Sequence, residues 1–112
     1  MTAPRLNRRL GLETPERVAD GSGGYVESWV QLGVLWADVA PRTGRESVAS
    51  GAPVSAVSYR ITVRGAPVGH PERPMPGQRF RDGSRLFHVS AVTEKDHNAR
   101  YLICFAEEEV VA

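Results

Sequence analysis

The chain has a single cysteine and no long apolar run. One cysteine, Cys104, excludes an internal disulfide. Because Cys104 lies in the apolar segment 101–106, we predict that it is a buried, unreactive core thiol. No segment approaches the roughly 18 consecutive apolar residues of a membrane-spanning helix, and Arg8 and Arg9 near the start are not followed by an apolar signal core. We therefore expect a soluble protein that is made in the cytoplasm and makes no membrane contact.

The chain also lacks a strong charge of either sign. Its formal net charge is +1, and 24% of its 112 residues are charged. Proteins that bind duplex DNA tightly usually carry a marked excess of lysine and arginine. The sequence therefore argues against tight, sequence-specific DNA binding, and its length predicts one domain over residues 1–112.

Clusters that could carry catalysis or bind metal are missing as well. The spacing of the three histidines, His70, His88 and His97, matches no known set of metal ligands, and the chain has no second cysteine that could complete such a set. The acidic run 107–109 places three successive side chains in different directions, which does not suit general acid–base catalysis. The serines show no nucleophile elbow. We expect no enzyme activity, no catalytic residues, no metal and no cofactor.

The pattern that is present is that of β-strands. Leu10–Glu13 predicts a short first strand. Thr14–Pro15 and the glycine-rich run 20–24 should end this strand and form a mobile surface loop, a hairpin arm that connects the first two strands. Tyr25–Val39 alternates with one change of phase near Gly33, which predicts a long strand with a β-bulge. Trp29 and Trp36 flank this bend and are expected to fill the core of a small barrel.

The second half of the chain adds shorter strands. Residues 57–64 alternate cleanly, and the proline-rich stretch 65–77 must be a loop. Residues 79–81 and 86–92 should pair across a primed turn at Asp82–Gly83, with a last strand at 100–106. With six or seven strands, we predict a mainly β fold: a small antiparallel β-barrel with long loops and at most one short helix.

Residues 41–53 form a long connection that lacks strand alternation, although one helical turn around Glu46–Ala49 is conceivable. Connections of more than about 12 irregular residues are usually functional or disordered. We therefore predict a projecting channel or ring-contact loop that comprises Arg42, Thr43, Gly44, Arg45, Glu46 and Ser47. Candidate interface arginines are Arg8, Arg9, Arg60 and Arg64, although arginines can equally serve solubility and surface ion pairing.

The order of several short motifs resembles a known family. In sequence order these are Arg8–Leu10, Gly23–Gly24, Trp29, Trp36–Val39, Gly44–Glu46, Tyr59–Arg64, Asp82–Gly83, Phe87 and Leu102–Glu107. This order resembles the head–tail joining (head closure, or stopper) proteins of tailed bacteriophages, including those of phage-derived gene transfer particles. The proline-rich stretch 66–76 looks longer than the family's loop.

The resemblance implies a structural role in virion assembly. It implies a homo-oligomeric, commonly hexameric ring at the particle neck, between the portal and its adaptor and the tail terminator or other tail proteins. Such a ring retains DNA, which it touches transiently and without specificity, and it offers a platform for the tail. Assembly would take place in the host cytoplasm.

Two alternatives remain open from the sequence. One is a free-standing nucleic-acid-binding barrel of the OB or SH3-like kind, which interleaved aromatic and basic residues on one exposed face would favour. The aromatic residues Tyr59, Phe80, Phe87 and Phe105 instead alternate as core positions do. The other alternative is a neighbouring adaptor or tail terminator ring.

Overall fold

The computed structural model describes residues 3–42, 45–49 and 52–109. All of its regular elements are strands, and these described residues include no helix that could cross a membrane. The strands are β1 (Arg8–Ala19), β2 (Tyr25–Pro41), β3 (Arg45–Ala49), β4 (Ala52–Ala56), β5 (Ser58–Arg64), β6 (Arg79–Asp82), β7 (Arg85–Glu94) and β8 (Tyr101–Glu108).

Six of these strands form a closed sheet in the order β1-β2-β5-β8-β7-β6, and every neighbouring pair is antiparallel. The predicted antiparallel β-barrel is thus confirmed.

The remaining pair, β3 and β4, forms a separate two-stranded hairpin. The predictions that residues 41–53 lack strands and that Glu46–Ala49 forms a helical turn are therefore wrong. Alternation marks a strand with one face against a core, and a hairpin held by backbone pairing need not show it.

The barrel interior is filled by inward-facing residues from all six strands of the closed sheet. The fully buried large side chains include Phe80 and Phe87, which lie opposite each other on β6 and β7. The rest of the core comprises Leu10, Leu12, Ala37, Ile61, Val63, Val89, Leu102, Cys104 and Ala106. Burial raises the pKa of the Cys104 thiol to about 12, which confirms the predicted buried and unreactive cysteine.

The prediction that the first strand ends at Thr14–Pro15 in a loop is wrong, because those residues belong to the strand. β1 continues through Pro15 to Ala19, paired throughout with β2. Proline is tolerated here because β6 pairs only with Gly11–Glu13. Among the described residues, the far edge of β1 is therefore unpaired from Thr14 onward. We call residues 14–30 the arm. Its turn is held by the Asp20 carboxylate, which accepts backbone hydrogen bonds from Ser22 and Gly24.

The predicted bulge near Gly33 is confirmed. Leu12 pairs with Gly33 and the next residue, Glu13, pairs with Gln31, so Leu32 is the extra residue of β2. The inward phase is then carried by Leu35, Ala37 and Val39, which are buried or packed against the core.

The proline-rich stretch 65–77 is a loop, as predicted, but part of it is packed. Pro74 is fully buried, and the Gly65 amide donates a 2.7 Å hydrogen bond to the Arg100 carbonyl. A Cβ added at Gly65 would lie 2.1 Å from the Ala99 carbonyl oxygen, so this close approach requires glycine. The loop is therefore fastened to the turn between β7 and β8.

Candidate assembly surfaces

Two projections leave the barrel from opposite ends of one strand. β2 begins in the arm, crosses the barrel wall against β5, and ends at Pro41, after which the β3–β4 hairpin begins. The longest dimension of the molecule is 53 Å and the shortest is 25 Å. A rigid barrel therefore carries one extension at each end of its longest strand.

The predicted contact loop coincides with the base and first strand of the hairpin. The amide of Arg42 donates a 2.8 Å hydrogen bond to the Ser58 carbonyl, and the Arg42 guanidinium lies 4.8 Å from the centre of the Phe105 ring. Thr43 and Gly44 lie outside the described residues. The other three predicted residues lie on β3, where the backbone pairs with β4: Arg45, Glu46 and Ser47.

The four predicted interface arginines do not form one group. Arg8 forms an ion pair with Asp82 and so ties β1 to the turn between β6 and β7. Arg9, Arg60 and Arg64 are exposed on the outer face of the barrel. Within the described part of the chain, none of these three forms an ion pair. Of the four predicted arginines, these three are therefore available to a partner.

Trp36 lies on the outer surface, so the prediction that it fills the core is wrong. It is 55% exposed and pairs across the strands with Arg9. The sequence contained the signal for this: if Leu35, Ala37 and Val39 face inward, strand alternation must turn Trp36 outward. Beside it is a groove of about 380 Å³, which we call the Trp36 groove. Its lining includes Leu6, Val34, Trp36, Arg64, Ala66 and Glu72.

Trp29 is half-buried and also lies outside the barrel core, contrary to the prediction. The Arg79 guanidinium lies 3.9 Å from the centre of one of its rings, and His88 meets it edge-on at 5.9 Å. Phe105 is another correction, since it is half-buried beneath Arg42 instead of in the core. Phe80 and Phe87 are core residues as predicted, and half-buried Tyr59 packs against that core.

An ionic cluster at the base of the arm was missed by sequence reasoning. The Glu13 carboxylate accepts hydrogen bonds from Arg79 at 2.7 Å and from Arg81 at 2.8 Å. Burial raises the pKa of Glu13, but the hydrogen bonds and positive charges of Arg81 and Arg79 outweigh burial and hold it below its usual value of 4.5. The residues are 66 and 68 positions apart, and no local pattern links them.

The acidic end of the chain is partly fastened to the barrel. Glu108 accepts two hydrogen bonds from Arg85, at 2.7 and 3.0 Å, and Arg85 also contacts the Tyr59 hydroxyl. These contacts lower the pKa of Glu108 and raise that of Arg85. Glu109 contacts His88 at 3.0 Å. Glu108 is therefore a structural ion partner of Arg85.

The described residues contain no group of three or more His, Cys, Asp or Glu side chains that could hold a metal ion. What the surface offers instead is two projections, an exposed tryptophan and unpaired arginines. These are features with which a protein binds other proteins, because exposed aromatic and arginine side chains dominate such interfaces.

Comparisons with known proteins identify the family of the chain and two solved structures of the same fold. Residues 1–109 match the family described as phage head completion protein. A chain from the virion of a native gene transfer agent particle is 49% identical to this chain. The match covers 98% of this chain and all of the virion chain, and its TM-score is 0.83. A Shigella flexneri 2a protein with a solution structure is 22% identical over the full length of both chains, with a TM-score of 0.71, which shows the same fold. A comparison with curated proteins gave no match.

Proposed function

Because this chain belongs to the phage head completion protein family, we propose that it is a structural component that closes the head of a phage-like particle and prepares it for the tail. The match of residues 1–109 to this family confirms the predicted family. The observation that carries the proposal is the 49% identity, over nearly all of both chains, to a protein of a gene transfer agent virion.

We further propose that several copies form a ring, commonly of six, at the particle neck. The placement of the arm and the hairpin at opposite ends of β2 supports this proposal. One end of such a ring can contact the portal or its adaptor and the other the tail terminator or another tail protein. Assembly would occur in the host cytoplasm, and the protein would act as a scaffold and not as an enzyme.

Retention of DNA is proposed for the same ring. The net charge of +1 suits a channel through which DNA must pass without being gripped. Contacts with DNA would then be transient and independent of sequence. The hairpin, with Arg42 at its base, is our candidate for the part that narrows the channel or contacts the next ring.

The hairpin gives a direct test of this function. We replace residues 43–57 with a short Gly-Ser linker. Because Arg42 and Ser58 are joined by a 2.8 Å backbone hydrogen bond, a short linker can connect them without disturbing the barrel strands. We expect the isolated barrel to unfold at nearly the wild-type temperature. Most particles should nevertheless lack tails or lose their DNA, as measured by electron microscopy and nuclease-protected DNA.

A matched control inserts the same linker at the exposed turn Gly83–Ser84, where tailed particles should form at wild-type yield. Normal yields of filled, tailed particles with the hairpin removed would reject the hairpin's role. The loop 65–77 would then be the next candidate. Cryo-electron microscopy of the neck distinguishes a closure ring from an adaptor or terminator ring.

One observation favours the alternative of a nucleic-acid-binding barrel. Exposed Trp36 has Arg9 opposite it and Arg64 in the same groove, which interleaves an aromatic ring with basic side chains. The same groove also contains Glu72, whose charge repels phosphate.

We therefore expect the isolated chain to bind short duplex and single-stranded DNA no more tightly than about 10⁻⁶ M near physiological salt, the range of non-specific binding. Affinity should be independent of sequence, as measured by fluorescence anisotropy. Submicromolar affinity that depends on sequence and is lost in Trp36→Ala would favour the nucleic-acid-binding alternative.

A further inference from the structure

One face of the arm carries three exposed valines among polar residues. The face of β1 that buries Leu10 and Leu12 continues beyond the barrel as Thr14, Glu16 and Val18, because the bulge is in β2 and leaves the alternation of β1 intact. On β2 the residues opposite are Val30, Ser28 and Val26. We call these six residues the arm face.

The exposure of this face is large for such a short ribbon. Val18 and Val26 lie directly opposite each other and are 47% and 54% exposed, and Val30 is 40% exposed. β-branched side chains on a pleated surface normally pack against a neighbour. Three of them exposed on one face of a projecting ribbon point to a surface for another protein.

The molecule also carries an apolar depression at a different place. The Trp36 groove presents Leu6, Val34 and Trp36 on the outside of the barrel, with Arg64 at its side. The chain thus carries a projecting surface, the arm face, and at a separate place a groove that can accept such a surface. Such a pair joins identical copies head to tail, and head-to-tail contacts generate rings when the rotation closes.

Charge supports this match. Glu16 lies in the middle of the arm face, and Arg64 borders the groove beside outward-facing Arg9. Within the described residues, neither Glu16 nor the two arginines form an ion pair in the single chain. Glu72 also lines the groove, but the two arginines outnumber it, so the positive charge beside the groove is complementary to the single acidic side chain of the arm face.

We propose that the arm face of each copy packs into the Trp36 groove of the neighbouring copy, with Glu16 directed at Arg64. The occupant of the groove is a second copy of this chain, and the proposal rests on the ring proposed above. The paired part of the arm beyond Glu13 is six residues long on β1, so it reaches about 20 Å from the barrel, enough to lie across an adjoining copy.

Cysteine cross-linking in isolated particles tests the contact. Cys104 is buried, so introduced cysteines are the reactive thiols of the folded chain. The variant V18C/V34C should give a ladder of cross-linked multimers with a short bismaleimide. It should yield about tenfold more linked dimer than the control V18C/S84C, because adjoining thiols have a high effective concentration. Each single-cysteine variant should give almost none.

Charge reversal gives an independent measurement. Glu16→Arg and Arg64→Glu should each reduce the yield of tailed particles, and the combination should restore much of it. Arm cysteines linked to a different particle protein would overturn the proposal and identify the true occupant. Neck rings seen by cryo-electron microscopy, without a V18C/V34C ladder, would refute the arm contact and leave the proposed function standing. Particles in which no two copies adjoin would refute the ring as well.

Discussion

Phe87→Ala should lower the free energy of unfolding by about 3–5 kcal/mol, the usual cost of truncating a buried aromatic ring. Phe87 is fully buried, faces Phe80 across the β6–β7 pair and meets Tyr59 edge-on at 5.1 Å. The residues around it come from separate strands of a closed barrel, so the wall cannot collapse easily into the space that the ring leaves. Urea unfolding of the isolated chain, followed by circular dichroism, measures the change.

Trp36→Ala is the matched comparison, because it removes a larger ring from the outer surface. It should cost less than about 1 kcal/mol, since exposed substitutions away from special features rarely cost more. The same variant should reduce particle assembly if the Trp36 groove receives a neighbour's arm. A loss of 3 kcal/mol or more for Trp36→Ala, or a negligible loss for Phe87→Ala, would contradict the assignment of inner and outer faces.

Glu13→Gln should have the second largest effect on stability. The carboxylate binds two guanidinium groups, and the Arg79 side chain is only 10% exposed. Removing the charge leaves Arg79 nearly buried without its anion, which costs about 3 kcal/mol at neutral pH, at the lower end of the range for broken buried pairs. Glu16→Gln, on the same strand but exposed, should change stability by less than about 0.5 kcal/mol.

The pH dependence identifies the cause of this loss. The pKa of Glu13 is lowered in the folded state, so its contribution is fully present above the unfolded value near 4.5 and is lost as the pH falls through the folded value. The difference in stability between wild type and Glu13→Gln should therefore be constant from pH 7 to about 5 and shrink below 4.5. The pKa of Glu108 is also lowered, but Glu108 is present in both proteins, so its contribution cancels in the difference. A difference that persists unchanged at pH 3 would mean that the charge of Glu13 does not cause the loss of stability.

Local patterns were sufficient for much of the barrel. Strand alternation in 57–64 and the phase change near Gly33 predicted β5 and the bulge of β2, and the proline-rich composition predicted the loop 65–77. These features can be predicted from the sequence because each depends on residues that are close in the chain. Successive side chains along a strand point to opposite faces, proline restricts the conformation of its own backbone, and glycine allows conformations that other residues avoid.

The hairpin β3–β4 and the full length of the arm were not predicted, although both are also local in sequence. Their strands pair with each other and do not belong to the half-buried wall of the barrel, so burial imposes no alternation on them. Thr14–Pro15 was expected to end β1 because proline cannot donate to a ladder. The missing neighbour on that edge makes the donor unnecessary.

The amino-acid sequence by itself determined an antiparallel β-barrel with one buried cysteine and, through the order of its motifs, a family of phage assembly proteins. Only the tertiary structure decided which residues remain free for partners. It placed Trp36 outside, paired Arg8 with Asp82, joined Glu13 to Arg79 and left Arg64 unpaired among the described residues. The reason is that strand pairing is set locally, whereas the contacts of a side chain depend on which distant strands the closed barrel brings beside it.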